Sequence, residues 1–335
     1  MAADEERWGG RLWAAADLVT PMAIRVAATL RLADHIAAGR RTPAALAAAV
    51  DAEPDALGRV MRHLVTAGVL APEGDGAYGL TELGERLRDD HPERMRALLD
   101  LEGSIGRAEL CFVELLHTVR TGEPAFPRRF GRGYWEDLSA DAGRAASFDA
   151  LMGDRLAAEG PAIAAAYPWG DLGRVVDVGG GNGSLLIALL RAHPELRGTV
   201  VDLAGPVARA EEAIAEAGLG DRADARAGSF FDALPAGAGG YVLSGVLHDW
   251  DDGEARRILR RCADAAAGTG RVLVVDHVAD SRGGAPDTEG DLRMLCYVRG
   301  RERTLAELAE LAASAGLRAG PVTPGGSRSI VELRP

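Results

Sequence analysis

The sequence contains no lysine, because all 38 basic residues among its 335 residues are arginine. This absence excludes Schiff-base chemistry on a lysine amine and the lysine of a Walker A phosphate loop. The 38 arginines are outnumbered by 50 acidic residues, which gives a net charge of −12 and argues against a nucleic-acid-binding surface. The predicted partners therefore include no nucleic acid.

Cysteines and long apolar runs are also scarce. The three cysteines, Cys111, Cys262 and Cys296, are far apart in the sequence, so neither a disulfide framework nor a structural metal site is predicted. The apolar run over residues 12–24 contains an aspartate and a proline and is too short to cross a bilayer. Without a cationic start and a small-residue cleavage site, no signal peptide is expected. These features predict a cytoplasmic protein that has no membrane contact.

The first hundred residues predict a mostly helical domain. Helical periodicity extends over residues 11–38, and two short helices follow before a glycine-rich hairpin at 68–80. This order of helix, turn, helix and hairpin is the outline of a winged helix. Residues 40–90 carry six arginines and nine acidic residues, a net charge of −3, and a DNA recognition helix needs the opposite balance. We therefore favour dimerisation over DNA binding for residues 1–100.

The rest of the chain predicts a helical linker over residues 101–165 and an α/β domain over residues 166–335. In the second of these, apolar strands alternate with helices, which is typical of a parallel sheet covered on both faces. The predicted strands are 174–178, 198–202, 240–244 and 271–276, with a closing hairpin at 317–322 and 329–333. The fold class is thus α/β and Rossmann-like, preceded by the helical domain.

A glycine-rich loop follows the first of these strands, from Asp177 to Ser184. Its spacing is G-x-G-x-G, and Ser184 stands where the dinucleotide fingerprint needs its last glycine. Asp202 ends the next predicted strand, where its two oxygens suit the two hydroxyls of a ribose. An acid ahead of the loop suits a ligand with a cationic amino-acid tail better than a pyrophosphate. S-adenosylmethionine has that tail, an adenosyl group and no phosphate.

Four short segments then carry a family resemblance. They are Asp177–Gly183, Asp202-Leu203, Gly228–Asp232 and above all Leu247–Asp252, with the sequence Leu-His-Asp-Trp-Asp-Asp. They resemble the class I S-adenosylmethionine-dependent O-methyltransferases of the plant caffeate type and their bacterial natural-product relatives. The resemblance extends over nearly the whole chain, including a winged-helix dimerisation domain in front. It implies a homodimer that uses S-adenosylmethionine, releases S-adenosylhomocysteine and needs no metal.

Within this family, Asp17–Leu30 and Asp291–Leu295 resemble most the bacterial naphthoate O-methyltransferases of neocarzinostatin-type antibiotic biosynthesis. The implied acceptor is a hydroxyl group of a naphthoate or another polyketide-derived aromatic compound. Two alternatives stay open, namely a ligand-sensing winged-helix transcription regulator and a cofactor-binding relative repurposed for hydroxylation or decarboxylation.

The resemblance also implies the cofactor contacts. The amino-acid tail of the cofactor falls near the glycines, the ribose at Asp202, and the adenine beside Leu203. Ser244 stands where plant members often have lysine, so the contact to the tail differs there. The implied cofactor-binding residues are Asp177, Gly179, Gly180, Gly181, Asp202, Leu203, Ser229, Phe230 and Ser244.

The implied catalytic base is His248, because a neutral imidazole can take the proton of a phenol with a pKa of about 10. Asp276 and Glu302 match the two acidic partners of the family, with Asp276 one methylene shorter than the usual glutamate. A structural histidine at the end of a strand is the alternative interpretation of His248. Asp249 and Asp251 are interpreted as caps of the following helix.

The predicted acceptor slot is apolar and adaptable, and ordinary core packing is the alternative for the same residues. Its predicted walls are Phe126, Trp135, Phe148, Met152, Met294 and Tyr297. A carboxylate on the acceptor would need a guanidinium, for which Arg11 and Arg299 are the candidates.

Overall fold

A computed structural model describes residues 10–278 and 287–335. The chain divides into two compact units. The first holds the residues up to Leu110 together with Asp141–Phe148, and the second holds Cys111–Ala140 and Asp149–Pro335. The predicted division at residues 100 and 165 stays a prediction. In the described part of the chain, no helix has both the length and the apolar character that crossing a membrane requires.

The first unit is mostly helical. Its helices are α1 (Arg11–Ala16), α2 (Val19–Thr29), α3 (Leu32–Ala37), α4 (Pro43–Val50), α5 (Pro54–Thr66), α6 (Glu82–Glu85), α7 (Met95–Leu99) and α8 (Ser104–Glu109). The strands β1 (Leu70–Glu73) and β2 (Ala77–Leu80) pair as an antiparallel hairpin. Helix α5 buries Leu57, Met61 and Leu64, whose helical spacing places them on one face against the core of this unit. The predicted order of helix, turn, helix and hairpin is therefore present.

The second unit begins with short helices and then alternates strands with helices. Its helices are α9 (Leu115–Thr121), α10 (Ala125–Phe130), α11 (Tyr134–Ser139), α12 (Ala142–Ala166, of which the residues to Phe148 belong to the first unit), α13 (Ser184–Ala192), α14 (Ala204–Glu216), α15 (Asp252–Ala266), α16 (Thr288–Val298) and α17 (Leu305–Ser314). A 3₁₀ turn, Leu247–Asp249, precedes α15. This turn carries the predicted base.

A seven-stranded sheet forms the centre of the second unit. Its strands are β3 (Arg174–Val178), β4 (Arg197–Asp202), β5 (Ala223–Ala227), β6 (Gly240–Ser244), β7 (Arg271–Asp276), β8 (Arg318–Gly325) and β9 (Arg328–Arg334). Their order in the sheet is β5-β4-β3-β6-β7-β9-β8, with parallel pairing except around β9. The periodicity of the sequence does not predict β5, because its Ala-Asp-Ala-Arg-Ala pattern lacks the apolar and β-branched residues that mark a strand.

Both faces of the sheet are buried. Alternate residues of β3 point to opposite sides, so that Val176 and Val178 pack in one hydrophobic cluster and Val175 in the other. From β3 the chain proceeds through β4 to β5 on one side of the sheet, and β6 begins on the other side of β3. A topological switch point therefore lies between β3 and β6. Ligands of open α/β sheets bind in the crevice at the carboxyl ends of strands at such a point.

Candidate functional site

The glycine loop occupies the switch point at the end of β3. Gly179, Gly181 and Gly183 have φ values of 72°, 58° and 77°, a region that residues with a Cβ atom rarely adopt. A Cβ atom on Gly179 would lie 2.9 Å from Cγ2 of Val246. The loop leads directly into α13, which begins at Ser184. The glycines thus allow the backbone to turn and keep a ligand's approach clear of side chains.

Asp202, at the end of β4, faces this loop. Its Oδ2 accepts a hydrogen bond from the Gly181 amide at 2.8 Å, and its Oδ1 accepts one from the Leu203 amide at 2.7 Å. Each carboxylate oxygen has two lone pairs, so each can accept a ligand hydroxyl as well. Burial raises the pKa of Asp202, against the lowering effect of these two amides and of Arg209. The structure therefore brings Asp202 and the glycine loop together as the sequence predicted.

Two buried polar groups beside the loop stand out. Among the residues that the structure describes, neither carboxylate oxygen of Asp177 nor Oγ of Ser244 has a hydrogen-bond partner of ordinary geometry, although the Leu186 amide is near enough to lower the pKa of Asp177. Burial and the neighbouring Asp202 raise the pKa of Asp177 to about 7. Buried polar groups in proteins are normally hydrogen-bonded. An unpartnered carboxylate and hydroxyl next to a glycine loop and a diol acceptor fit the ammonium and carboxylate tail of S-adenosylmethionine.

The other predicted cofactor residues lie along the same edge of the sheet. Leu203 follows β4 and is 57% exposed, which leaves its side chain available to a flat ring. Beyond β5, Oγ of Ser229 accepts a hydrogen bond from the Phe231 amide at 3.2 Å. The Phe230 ring lies 3.4 Å from the Cβ position of Gly179. The residues assigned to the adenine and to the tail are therefore neighbours in the fold.

His248 lies in the 3₁₀ turn after β6 and is surrounded by carboxylates. Its Nδ1 is 2.8 Å from Oε1 of Glu302, a hydrogen bond, and 3.9 Å from Oδ1 of Asp276. Asp276 ends β7, and its Oδ1 also accepts the His277 amide at 3.0 Å. The Glu302 amide donates to Oδ1 of Asp291 at 2.9 Å, which fixes the backbone that carries Glu302. The three predicted catalytic residues thus form one cluster.

A third carboxylate faces the other ring nitrogen of His248. Oδ1 of Asp249 lies 3.7 Å from Nε2, so Asp249 belongs to the histidine cluster and does not cap α15. The interpretation of Asp249 as a cap is therefore wrong. Asp251 is the cap, since its Oδ1 accepts the Glu254 amide at 3.0 Å. Burial raises the pKa of Asp249 to about 7, with Asp276 and Glu302 adding to the effect against His248.

The carboxylates also control the charge of His248. Burial opposes the imidazolium, but Asp276, Asp249 and Glu302 outweigh burial and raise the pKa of His248 to about 10. A histidine in this environment holds a proton strongly. The cluster is thus built to stabilise the charge that an imidazole gains when it takes a proton.

The same three donors have the types that bind metals. The nearest ligand atoms of His248, Asp276 and Glu302 lie within 4.8 Å of one another. However, Nδ1 of His248 and Oε1 of Glu302 are already at hydrogen-bond distance, 2.8 Å. A small cavity adjoins the cluster, and its walls include Leu247, Val274 and Leu308. The geometry supports proton transfer through the histidine.

The predicted acceptor residues are only partly brought together. Phe126 and Tyr297 are 1% and 4% exposed and both pack on Tyr134, with ring centroids 5.3 and 5.6 Å from it. Burial, Asp249 and Asp137 raise the pKa of Tyr134, which places its hydroxyl group in the field of the histidine cluster. Trp135, Met152 and Met294 are half-buried. Phe126 and Tyr297 therefore form an aromatic core next to the site, and their contact with an acceptor stays a prediction.

The two arginines predicted to bind an acceptor carboxylate have different surroundings. Nη1 of Arg299 lies 3.7 Å from Oε2 of Glu123, so Arg299 already faces a carboxylate of the protein. Arg11 is an exposed residue of α1 and belongs to the first unit, as does Phe148. Their roles toward an acceptor stay predictions.

Two further contacts of the site are not predicted by the sequence. A Cβ atom on Gly153, in the middle of α12, would lie 2.3 Å from Nδ2 of Asn182 in the glycine loop. Arg303 is buried and donates hydrogen bonds to the turn that carries His248. A glycine inside a helix was a detectable signal for the first contact. Nothing in the local sequence marked the second, because its partners lie about fifty residues away.

Comparisons with known proteins agree with this arrangement. A model of the O-methyltransferase domain family matches residues 112–318, and a model of the O-methyltransferase dimerisation domain matches residues 13–90. The chain is 57% identical to 2,7-dihydroxy-5-methyl-1-naphthoate 7-O-methyltransferase of Streptomyces carzinostaticus over 96% of both chains. It is 49% identical to aclacinomycin 10-hydroxylase RdmB of Streptomyces purpurascens, over 94% of this chain and 85% of that protein.

The solved structures include a similar fold with both ligands bound. The crystal structure of the O-methyltransferase NcsB1 from neocarzinostatin biosynthesis, in complex with S-adenosylmethionine and 2-hydroxy-5-methyl naphthoic acid, superposes with a TM-score of 0.92. The two chains are 56% identical, and the alignment covers 96% of this chain and 98% of that one. The likeness therefore extends over both units.

Proposed function

Because this chain belongs to the family of class I S-adenosylmethionine-dependent O-methyltransferases with a dimerisation domain, we propose that it methylates a hydroxyl group of a naphthoate or another polyketide-derived aromatic acid. The family and the α/β fold predicted from the sequence are confirmed. The acceptor class is supported by the named substrates and ligands of the relatives. The observation that carries the proposal is the hydrogen-bonded His248–Glu302 pair, which follows the strand next to the one that leads into the glycine loop.

Three side chains of this protein bind the cofactor in the proposed complex. Asp202 accepts the ribose hydroxyls with the lone pairs that Gly181 and Leu203 leave open. Asp177, whose carboxylate has no side-chain partner among the described residues, takes the ammonium of the tail, and the Ser244 hydroxyl takes part of the polar tail as well. Bound S-adenosylmethionine supplies a methyl group that is already activated by a sulfonium. The protein therefore has to align the acceptor and remove its proton.

His248 removes that proton in the proposed mechanism. Glu302 occupies Nδ1, so the acceptor hydroxyl would meet Nε2, which lies 3.7 Å from Oδ1 of Asp249 and beyond direct hydrogen-bond distance of it. When Nε2 takes the proton, the imidazolium lies among Asp276, Asp249 and Glu302, which stabilise its charge. The acceptor oxygen gains nucleophilicity as its O–H bond breaks. Holding that oxygen in line with the methyl group supplies several kcal/mol toward the barrier, within the range of proximity effects.

The raised pKa of His248 sets a condition on this mechanism. At a pKa of about 10 the imidazole is protonated at neutral pH, so the free protein holds the proton that the base must lack. In the reactive complex, His248 and the acceptor hydroxyl therefore share one proton, whereas the free enzyme and the free phenol together carry two. A phenol has an ordinary pKa of about 10, so the proton is shared between groups of similar affinity. Turnover then increases as the pH rises.

We propose that the active form is a homodimer formed through the first unit. The dimerisation-domain match covers residues 13–90. In and around α1 and α2, Leu12, Leu18 and Val19 are 77%, 65% and 65% exposed, an apolar surface that a second copy of the chain would cover. Sedimentation of the full chain is expected to give twice the monomer mass. A monomer that retains full activity would contradict this proposal.

The experiment that tests the function uses labelled cofactor and an acceptor panel. The full chain is incubated with S-adenosylmethionine carrying a labelled methyl group and with hydroxynaphthoates, catechols and anthracyclines, and the products are identified by mass. We expect methyl transfer to a hydroxynaphthoate oxygen. A product that gains an oxygen atom instead would favour chemistry like that named for the 49% identical hydroxylase. No product with any acceptor, combined with retention on DNA, would favour the regulator.

A further inference from the structure

Arg303 is a buried charge one residue beyond Glu302. It is 6% exposed, and its guanidinium makes four hydrogen bonds. Nη1 donates to the Leu247 carbonyl at 2.7 Å, and Nη2 donates to the Trp250 carbonyl at 2.8 Å. Nε and Nη2 both donate to Oδ1 of Asp252, at 3.1 and 2.8 Å. Every nitrogen of the guanidinium is thus used.

The two carbonyls bracket the histidine. Leu247 and Trp250 lie immediately before and after His248-Asp249, so Arg303 holds both ends of the turn that carries the base. The backbone next to Arg303 binds the same turn, because the Arg301 amide donates to the His248 carbonyl at 2.8 Å. A Cβ atom on Gly300 would lie 2.0 Å from that carbonyl oxygen, so only a glycine permits this approach.

These contacts connect the two halves of the catalytic pair. Glu302 binds Nδ1 of His248, and its neighbour Arg303 fixes the backbone from which His248 projects. We infer that Arg303 is a positioning residue, which holds Nδ1 of His248 at hydrogen-bond distance from Glu302 and so aims Nε2 at the acceptor. The inference rests on the proposed role of His248 as the base.

An arginine is required for this task on geometric grounds. Its planar guanidinium donates in fixed directions and can reach two carbonyls and a carboxylate at once. A lysine ammonium supplies the charge but not the same spread of donors. Removal of the guanidinium leaves the carbonyls of Leu247 and Trp250 without this donor, and the turn can shift. A displacement of about 1 Å in a catalytic group is enough to lower turnover by up to about a hundredfold.

The test compares substitutions at Arg303 with a matched arginine elsewhere. Arg303→Met keeps most of the side-chain volume, Arg303→Lys keeps the charge, and Arg260→Met removes an exposed guanidinium that also donates to a carbonyl, that of Ser314. For Arg303→Met we expect kcat to fall about tenfold or more while the Kd for S-adenosylmethionine stays within about twofold. Arg303→Lys is expected to recover part of the loss, and Arg260→Met to match the parent protein.

The double variant His248→Gln with Arg303→Met separates positioning from general damage. If Arg303 acts through His248, adding Arg303→Met to His248→Gln lowers kcat no further. A loss equal to the product of the two single losses, or a kcat within twofold of the parent for Arg303→Met alone, would overturn the inference. If Arg303→Met does not fold, Arg303→Lys is judged by the same criteria. Full activity of His248→Gln would instead overturn the proposed role of His248 as the base and leave the proposed methyl transfer standing.

The pH profile gives an independent readout. The groups that face His248 are Asp249, Asp276 and Glu302, and the Glu302 hydrogen bond helps to raise the pKa of the imidazole. Loosening that bond in Arg303→Met is expected to move the rising part of the activity profile to lower pH. A profile that keeps its position while kcat falls would show damage unrelated to the His248–Glu302 pair and would overturn the inference.

Discussion

The cofactor side and the base side of this site are built in different ways. On the proposed cofactor side, the glycine loop and Asp202 follow two adjacent strands. The Asp202 carboxylate is held there by the backbone amides of Gly181 and Leu203. On the base side, His248 meets Asp276 and Glu302 from segments that are distant in sequence, and side chains make the contacts. A binding site formed by backbone amides depends on local chain geometry, whereas a cluster of side chains depends on the correct packing of several helices and strands. Mutations on the base side should therefore lower kcat, and mutations on the cofactor side should weaken the binding of S-adenosylmethionine.

The largest expected effect is at the base. His248→Gln removes the group that we propose takes the acceptor proton, so kcat is expected to fall by about a hundredfold or more. The Kd for S-adenosylmethionine, measured by calorimetry, is expected to stay within about twofold, since no cofactor contact is lost. His193→Gln is the control, because His193 binds the carbonyl of Ala164 away from the site and its variant should keep full activity. A His248→Gln enzyme as fast as the parent would mean that alignment alone drives the reaction.

The second effect is a dependence on pH. With the pKa of His248 raised to about 10, the neutral base is a minor species at pH 7. The kcat/KM for the acceptor is therefore expected to rise about tenfold per pH unit between pH 6 and 8, measured at saturating cofactor.

Asp276→Asn sharpens this prediction. The Asp276 carboxylate raises the pKa of His248, so its removal lowers that pKa and moves the rising part of the profile to lower pH. The expected shift is roughly one pH unit. A profile that is flat between pH 6 and 9 in the parent protein would contradict the protonated resting state.

A smaller effect is expected on the cofactor side. The folded protein raises the pKa of Asp177 from its ordinary 3.8 to about 7, so its ionised form is disfavoured in the ligand-free fold. The stability of the ligand-free fold therefore falls as the pH rises from the ordinary pKa to the raised one, and the full cost is present above it. Asp177→Asn is therefore expected to raise the Tm of the ligand-free protein by roughly 5 °C at pH 8. It should also weaken S-adenosylmethionine binding about tenfold, because the ammonium of the tail loses its partner.

The control for Asp177→Asn lies two strands away in the sheet. Asp224 is an exposed residue of β5 whose carboxylate is 3.4 Å from Arg226, so Asp224→Asn should change neither the Tm nor the Kd appreciably. A lower Tm for Asp177→Asn together with unchanged cofactor affinity would show that Asp177 is a structural carboxylate only.

The same contrast explains what the sequence could predict. The loop from Asp177 to Ser184 and the acid at Asp202 were predictable, because a strand, a turn and a helix start are local patterns. The strand β5 was missed, since its alanine-rich pattern is stabilised by pairing with β4 and not by its own propensity. Asp249 was misassigned because the spacing of a helix cap is a local signal, whereas its approach to His248 depends on the turn.

The base cluster shows the limit of reasoning from sequence. The family resemblance placed His248, Asp276 and Glu302 together, but neither spacing nor periodicity would have paired residues 54 positions apart. The contacts of Arg303 could not be predicted for the same reason, because the carbonyls that it binds belong to a segment about fifty residues away. Phe126 and Tyr297 are aromatic residues of the type expected in an apolar acceptor slot, and in the structure they pack on Tyr134 in an aromatic core.

The central claim is that the glycine loop and His248 serve one methyl transfer. The most direct test is a crystal structure of the full chain with S-adenosylhomocysteine and a hydroxynaphthoic acid. We expect the homocysteine tail at Asp177, the ribose at Asp202, and the acceptor hydroxyl within about 3 Å of Nε2 of His248 and directed at the sulfur. An acceptor bound with its hydroxyl group away from His248, or a ribose that does not contact Asp202, would contradict the account.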